Sequence, residues 1–306
     1  MNLNQIMLAE GVARVSRHID PRPARCVSAA LGDADMRSST IRNVLTIAGS
    51  DPSGGAGIQA DLKAFSARGC YGMAVITALT AQNTTGVSAV VPLDPGFVAE
   101  QIRMVFADVR VDAVKIGMIA NAGIASAVAE ALKPYRDIPV VLDPVMIAKG
   151  GASLLDPDAV EALTSNLLPL ATLLTPNLPE AAALLGDPEA FDRRIMESQA
   201  VRLTALGPQA VLLKGGHLTG PESPDVLVAE GQVTWFEADR ITTRNTHGTG
   251  CSLSSALAAE LAKGLEPQEA VRVAKAWLAE AVRSSGQLSV GSGHGPVHHF
   301  HSLWQH

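Results

Sequence analysis

The sequence predicts an α/β fold: a three-layer sandwich with a mostly parallel sheet and helices on both faces. Three observations carry this. From residue 41 onward, short runs that are apolar on both faces alternate with helical stretches, the pattern of a parallel sheet covered on both sides. Glycine- and carboxylate-bearing segments follow the strands, where open parallel sheets bind ligands. With 306 residues and 47% hydrophobic content, the chain can bury one large core.

The strands are predicted in order at "NVLTIAG" (43–49), "MAVITAL" (73–79), "DAVKIG" (112–117), "PVVLD" (139–143), "ATLLT" (171–175) and "AVLLKG" (210–215). Between them, 57–69 puts Ile58, Leu62 and Phe65 on one helical face, and 95–108 spaces Val98, Ile102 and Val105 likewise. The same period recurs in 122–132, 157–168, 179–185 and 194–206. "DVLVAEGQVTWFEAD" (225–239) reads as two strands turning at Gly231. Two helices, 251–264 and 267–285, follow. No repeat or linker divides 41–306, so it is read as one domain. Segment 1–40 mixes Arg with acids and lacks a continuous apolar signal region; it is read as a poorly ordered extension.

A net charge of −6 without a long basic run argues against nucleic acid as a partner. No run reaches the roughly 18 apolar residues of a membrane span. Three scattered cysteines, Cys26, Cys70 and Cys251, suggest a reducing, cytoplasmic compartment rather than a disulfide framework.

Two glycine loops stand out. "GSDPSGGAG" (49–57) fails as a P-loop because Gly55 and Ala56 stand where Lys and Ser/Thr belong. It matches a dinucleotide fingerprint only weakly, since 73–84 holds no acid. That leaves a substrate loop whose amides, beginning at Gly49, and Asp51 approach a small polar ligand, or a plain turn. "HGTGCS" (247–252) opens a helix. Gly248 and Gly250 free the backbone, and unpaired N–H groups with the helix dipole make an anion site there. Cys251 at that terminus is expected to have a lowered thiol pKa, unless it is an inert buried thiol. Such a site suits phosphoryl transfer, which needs positioning and charge neutralisation.

In "TPNLPE" (175–180), Asn177 and Glu180 share a face at a helix start. They suit either Mg²⁺, which takes one or two carboxylates and keeps waters, or a capping box. Asp143 ends another strand and could join through water; Lys214, followed by two glycines, could reach a phosphate. The His-rich end "GHGPVHHFHSLWQH" is read as a surface tail of stacked rings rather than a metal site.

Together, "LTIAGSDPSGGAGIQADLKAF", "VITALTAQNT", "KIGMI", "VLDPVMIAKGG", "LLTPNLPEAAALLG", "AVLLKGGH", "NTHGTGCSLSSALAA" and "GPVHHFH" closely resemble the bacterial hydroxymethylpyrimidine/phosphomethylpyrimidine kinase family of thiamine biosynthesis. The resemblance spans about 42–304. It implies a ribokinase-like fold, ATP and Mg²⁺ as cofactors, a pyrimidine substrate phosphorylated twice, and a homodimer. By the same resemblance Gln82 binds the pyrimidine, with Ala56, Asp61, Met118 and Val145 lining its pocket. Gly248, Thr249, Gly250 and Cys251 match the anion hole and base; Asn177, Glu180 and Lys214 match the nucleotide-phosphate and Mg²⁺ contacts. Pyridoxal kinases share this fold and chemistry. A non-catalytic pyrimidine-binding module is the alternative outside the enzymes.

Overall fold

Strand β1 (Asn43–Ala48) shows how the layers arise. Side chains alternate across a strand, so Leu45 and Ile47 enter one hydrophobic core while Val44 enters another. The first core takes Val98 and Ile102 from α2 (Pro95–Asp108), Ile124 and Val128 from α3 (Ala122–Leu132), Leu178 from α5 (Leu178–Leu185) and Met196 from α6 (Arg193–Thr204). The second takes Phe65 from α1 (Gly57–Ala67), Leu257 from α7 (Thr249–Ala262) and Trp277 from α8 (Pro267–Arg283). Each fully buried large side chain contributes roughly 1.5–3 kcal/mol. The computed structural model describes residues 40–146 and 157–304; the extension read at 1–40 lies almost wholly outside them.

The sheet has eight strands in the order β10-β9-β8-β7-β6-β5-β1-β2. Strands β2 (Tyr71–Ile76), β1, β5 (Ala113–Ile116), β6 (Val140–Leu142), β7 (Leu173–Leu174) and β8 (Ala210–Lys214) run parallel. β9 (Asp225–Ala229) and β10 (Gln232–Phe236) form the hairpin expected around Gly231 and join antiparallel. The carboxyl ends of β1, β5, β6, β7 and β8 thus converge on one edge of the sandwich.

Two predictions need correcting. The run 73–79 is not one strand: β2 ends at Ile76, and the chain then forms a separate hairpin, β3 (Ala78–Asn83) with β4 (Gly86–Pro92). Thr80 and Gln82 of β3 lie on its less exposed side, and a register shift at Ala81/Gln82 marks a bulge, a feature that re-aims side chains. The predicted helix 157–168 keeps α-geometry only in α4 (Pro157–Ala162), then passes through a π-helical turn and a 3₁₀ turn containing Pro169. Proline cannot continue the α hydrogen-bond ladder.

Candidate active site

The loop after β1 is organised by Asp51, which turns into the loop itself. It is buried and accepts hydrogen bonds from the Ser53 hydroxyl and backbone, from the Gly55 and Ala56 N–H groups, and pairs with His247 Nε2 at 2.7 Å. Burial pushes the carboxyl up, but His247, Ser53 and the Ala56 N–H outweigh it and hold it at about 2. Gly57 has φ +55°, and a Cβ there would lie 2.4 Å from the Gly49 carbonyl.

That loop interlocks with the second one. Gly248 is left-handed, φ +73°, and a Cβ on it would lie 1.7 Å from the Gly55 carbonyl oxygen. Gly248 is the N-cap of α7 and supplies no side-chain cap. The Thr249 N–H bonds the Thr246 carbonyl and the Ser252 N–H the Gly248 carbonyl. The Gly250 and Cys251 N–H groups, between them, belong to the turn that lines the cleft. Behind this turn runs the segment 293–299. Gly293 and His294 donate to Thr84 at the tip of the β3–β4 hairpin, the His247 N–H donates to Gly295, and His299 pairs with the Ser252 hydroxyl at 2.9 Å. His298 and His299 are buried, which corrects the reading of this stretch as a surface tail. Burial drives His299 down to about 3. No cluster of three metal-ligating side chains exists among the described residues.

Asn177 and Glu180 form the capping box: Glu180 N–H donates to Asn177 Oδ1 at 2.9 Å, and Asn177 N–H to Glu180 Oε2 at 2.8 Å. Both residues nevertheless line the cleft. Burial pushes the Glu180 carboxyl up to about 7, against the pull of Lys214. Lys214 Nζ is 3.0 Å from Asp143 Oδ1, and Ser254 donates to Asp143 Oδ2. Burial opposes the Lys214 charge, but Asp143 and Glu180 raise its pKa. Gly250 faces this pair; a Cβ there would sit 3.5 Å from Lys214 Nζ and 3.7 Å from Asp143 Oδ2.

Two expectations fail at Cys251 and Asp61. The Cys251 thiol is raised to about 11, not lowered: burial outweighs Lys115 and the Gly57 N–H, which both favour the thiolate. Asp61 does not line the pocket. It is fully buried beneath it, gripping Lys115 Nζ with both oxygens at 2.9 Å and accepting from Thr46 and Ser255. Buried charges need such complete partnering.

One cleft of about 960 Å³ joins the rest. Gly49, Ala56, Gln82, Met118 and Val145 line it together with Cys251, Lys115, Lys214, Asp143 and Glu180. Ala238, Ile241, Leu278 and Val282 add apolar lining that sequence reading missed, because it comes from a loop and a helix face with no motif. Lys115 and His247 were also missed. The Gln82 amide nitrogen lies 3.5 Å from His247 Nε2.

Known proteins resemble this chain closely. A family model described as phosphomethylpyrimidine kinase matches residues 51–298. The hydroxymethylpyrimidine/phosphomethylpyrimidine kinase of Salmonella typhimurium is 55% identical over 262 residues, 86% of this chain and 98% of that one. Its Escherichia coli counterpart is 56% identical with the same coverage. Among solved structures, phosphomethylpyrimidine kinase from Clostridium difficile is 46% identical, with a TM-score of 0.70, covering 79% of this chain and 99% of that one. Bacillus subtilis pyridoxal kinase, in an ADP complex, is 38% identical, with a TM-score of 0.78, covering 85% and 98%.

Proposed function

The chain belongs to the phosphomethylpyrimidine kinase family and has the ribokinase-like fold of its pyridoxal kinase neighbours; from this we propose that it phosphorylates 4-amino-5-hydroxymethyl-2-methylpyrimidine with ATP, first to the monophosphate and then to the diphosphate, for thiamine biosynthesis. The observation that carries the reading is the cleft itself: the helix start at Gly248–Cys251, without a side-chain cap, shares one cleft with the Gln82 amide and the apolar side chains of Ile241 and Leu278.

The pyrimidine ring lies against Gln82, whose amide both donates and accepts, as an aminopyrimidine edge requires. Ala56, Met118 and Val145 enclose it. ATP extends from the apolar side chains of Ile241, Leu278 and Val282, with its phosphates toward Lys214 and the Gly248–Cys251 turn. In the first transfer the acceptor oxygen attacks the γ-phosphorus. The bond from phosphorus to the bridging oxygen breaks, and its electron pair leaves with ADP. Cys251 takes the hydroxyl proton in its thiolate form, which burial disfavours, so the small ionised fraction is the competent one. A loose transition state asks more of positioning than of the base.

The donor set fits Mg²⁺, which takes one or two carboxylates and completes its shell with waters and substrate phosphates; Glu180 and, through water, Asp143 would hold it. Bound there, the ion neutralises phosphate charge. The raised Glu180 carboxyl is the group such a cation would return to its ionised form. A cytoplasmic homodimer is the proposed setting; no helix among the described residues is long and apolar enough to cross a membrane.

Product analysis tests the reading. The protein is incubated with Mg-ATP and the pyrimidine, with pyridoxal in parallel, and products are identified by mass. Monophosphate followed by diphosphate is expected. Phosphopyridoxal in preference would reassign it to vitamin salvage, and no product from either would leave a binding module.

A further inference from the structure

Gln82 is held from two sides, and the two holds agree on which way its amide faces. On one side is His247 Nε2, 3.5 Å from the amide; on the other is the Thr80 hydroxyl, at 3.4 Å. His247 is itself fixed. Its backbone N–H donates to the Gly295 carbonyl, and its ring lies so close to Gly55 that a Cβ there would sit 2.3 Å from Cδ2. Its Nε2 is 2.7 Å from Asp51 Oδ2. Asp51 accepts from Ser53, Gly55 and Ala56, so it is an ionised acceptor, and the His247 nitrogen facing it carries hydrogen. Thr80 is committed in the opposite sense. Its hydroxyl hydrogen goes to the Ser50 carbonyl at 2.9 Å, which leaves its oxygen to accept.

The two ends of an amide are told apart by their partners. An N–H at His247 repels an amide nitrogen and attracts an amide oxygen; an accepting oxygen at Thr80 does the reverse. The consistent arrangement is therefore not the one with the amide nitrogen at His247 but its half-turn, with Gln82 Oε1 toward His247 and Nε2 toward Thr80. We propose that His247, together with Thr80, is a positioning residue that acts through Gln82. It fixes the order of acceptor and donor that the amide offers the pyrimidine, and so the side of the ring that meets the anion turn. The inference rests on the kinase reading above.

The chemistry of the ring turns that order into a pose. Its C4 amino group has N3 on one side and the C5 hydroxymethyl arm on the other. The amino N–H meets Oε1, and N3 accepts from Nε2. The line from N3 to the amino group then runs from Thr80 toward His247, and the arm lies beyond the amino group on the His247 side. Gly248–Cys251 follow His247 directly in the chain. With the amide reversed, the same ring would pair with its arm toward Thr80. The His247 N–H thus favours the pose in which the hydroxyl approaches the phosphoryl donor.

The test is a pyrimidine with the opposite pattern. The 4-oxo counterpart of the substrate carries an acceptor at C4 and an N–H at N3, so it needs the amide reversed. kcat/KM is measured on both rings in wild type, His247→Phe and Thr80→Val. Phe keeps an aromatic ring without the N–H, and Asp51 keeps its Ser53, Gly55 and Ala56 donors; Val keeps the size of Thr without the hydroxyl. Wild type should prefer the amino ring by on the order of 10⁴-fold, the scale on which a hydrogen-bonding site rejects a mismatched analogue. Each variant should lower that preference about tenfold, the factor that one hydrogen bond of ordinary net strength makes. It should do so by gaining turnover on the oxo ring, which damage to the fold would not produce. A wild type that takes both rings equally, or a preference that the folded variants leave unchanged, overturns the proposal. If His247→Phe does not fold, Thr80→Val decides alone. If wild type phosphorylates neither ring, the kinase reading has failed instead, and the ratio of the two dissociation constants, measured by calorimetry without ATP in the same variants, still judges the amide.

Discussion

Replacing Gly248 by Ala puts a methyl group where the two loops touch. The position has φ +73°, and the new Cβ would lie 1.7 Å from the Gly55 carbonyl oxygen, 2.8 Å from its carbon and 3.3 Å from Ala56 Cα. The left-handed backbone alone costs roughly 1–2 kcal/mol for a non-glycine residue. Forcing a methyl into a packed contact adds about 1–3 kcal/mol, so the sum is about 2–5 kcal/mol. The neighbours are backbone atoms and cannot rotate away. The loops must therefore part by more than about 1 Å, and misplacement on that scale costs on the order of 100-fold in rate. Gly186 supplies the control: φ +66°, at the C-cap of α5, with nothing within 4 Å of a built Cβ. Gly186→Ala carries the backbone term without the clash, so it should lose about 1 kcal/mol and no turnover. Urea unfolding and kcat on both variants decide the matter. Gly248→Ala with wild-type turnover, or destabilised no more than Gly186→Ala, would refute the interlock.

Gly250→Ala should do the opposite to stability. The position is helical, the new Cβ meets only ordinary contacts, and Ala is favoured over Gly in a helix by about 1 kcal/mol; stability should rise while KM for ATP rises too, since the methyl faces Lys214. Asp51→Asn should cost about 2 kcal/mol at pH 7, from a carboxyl held at about 2 against its ordinary 3.8. A depressed pKa gives stability that is present above 3.8 and lost as pH falls through 2, so the gap between wild type and variant in urea melts should close over that window. Gln82→Ala should weaken pyrimidine binding well beyond ATP binding by calorimetry; equal losses would argue against its assigned contact.

The sandwich could be read from the chain because its strands are apolar on both faces and its helices keep the 3.6 period. Gly231 marked the β9–β10 hairpin in the same way. The β3–β4 hairpin was hidden because one residue, Thr77, separates β2 from β3, and an apolar run continues across it. Its signals were the Asn83–Gly86 turn and the alternation of 86–92. In the site, local motifs placed Gly248, Cys251, Asn177 and Lys214 on one cleft. What they could not supply was pairing at long range. The His247–Asp51 contact spans 196 positions and Lys115–Asp61 spans 54, and nothing in either segment alone announces its partner. The sign of the Cys251 shift was missed for a related reason. A helix terminus is visible in sequence, whereas the depth at which it is buried depends on every layer packed over it.

The segment 293–299 makes the site depend on a stretch of chain that contributes nothing to the cleft lining itself. It ties the hairpin tip at Thr84 to the backbone of His247 and the hydroxyl of Ser252. Its own Val297 is fully buried in the second core. The spacing between Gln82 and the anion turn is therefore held by a strap that is anchored in the core, and whatever loosens that core loosens the site.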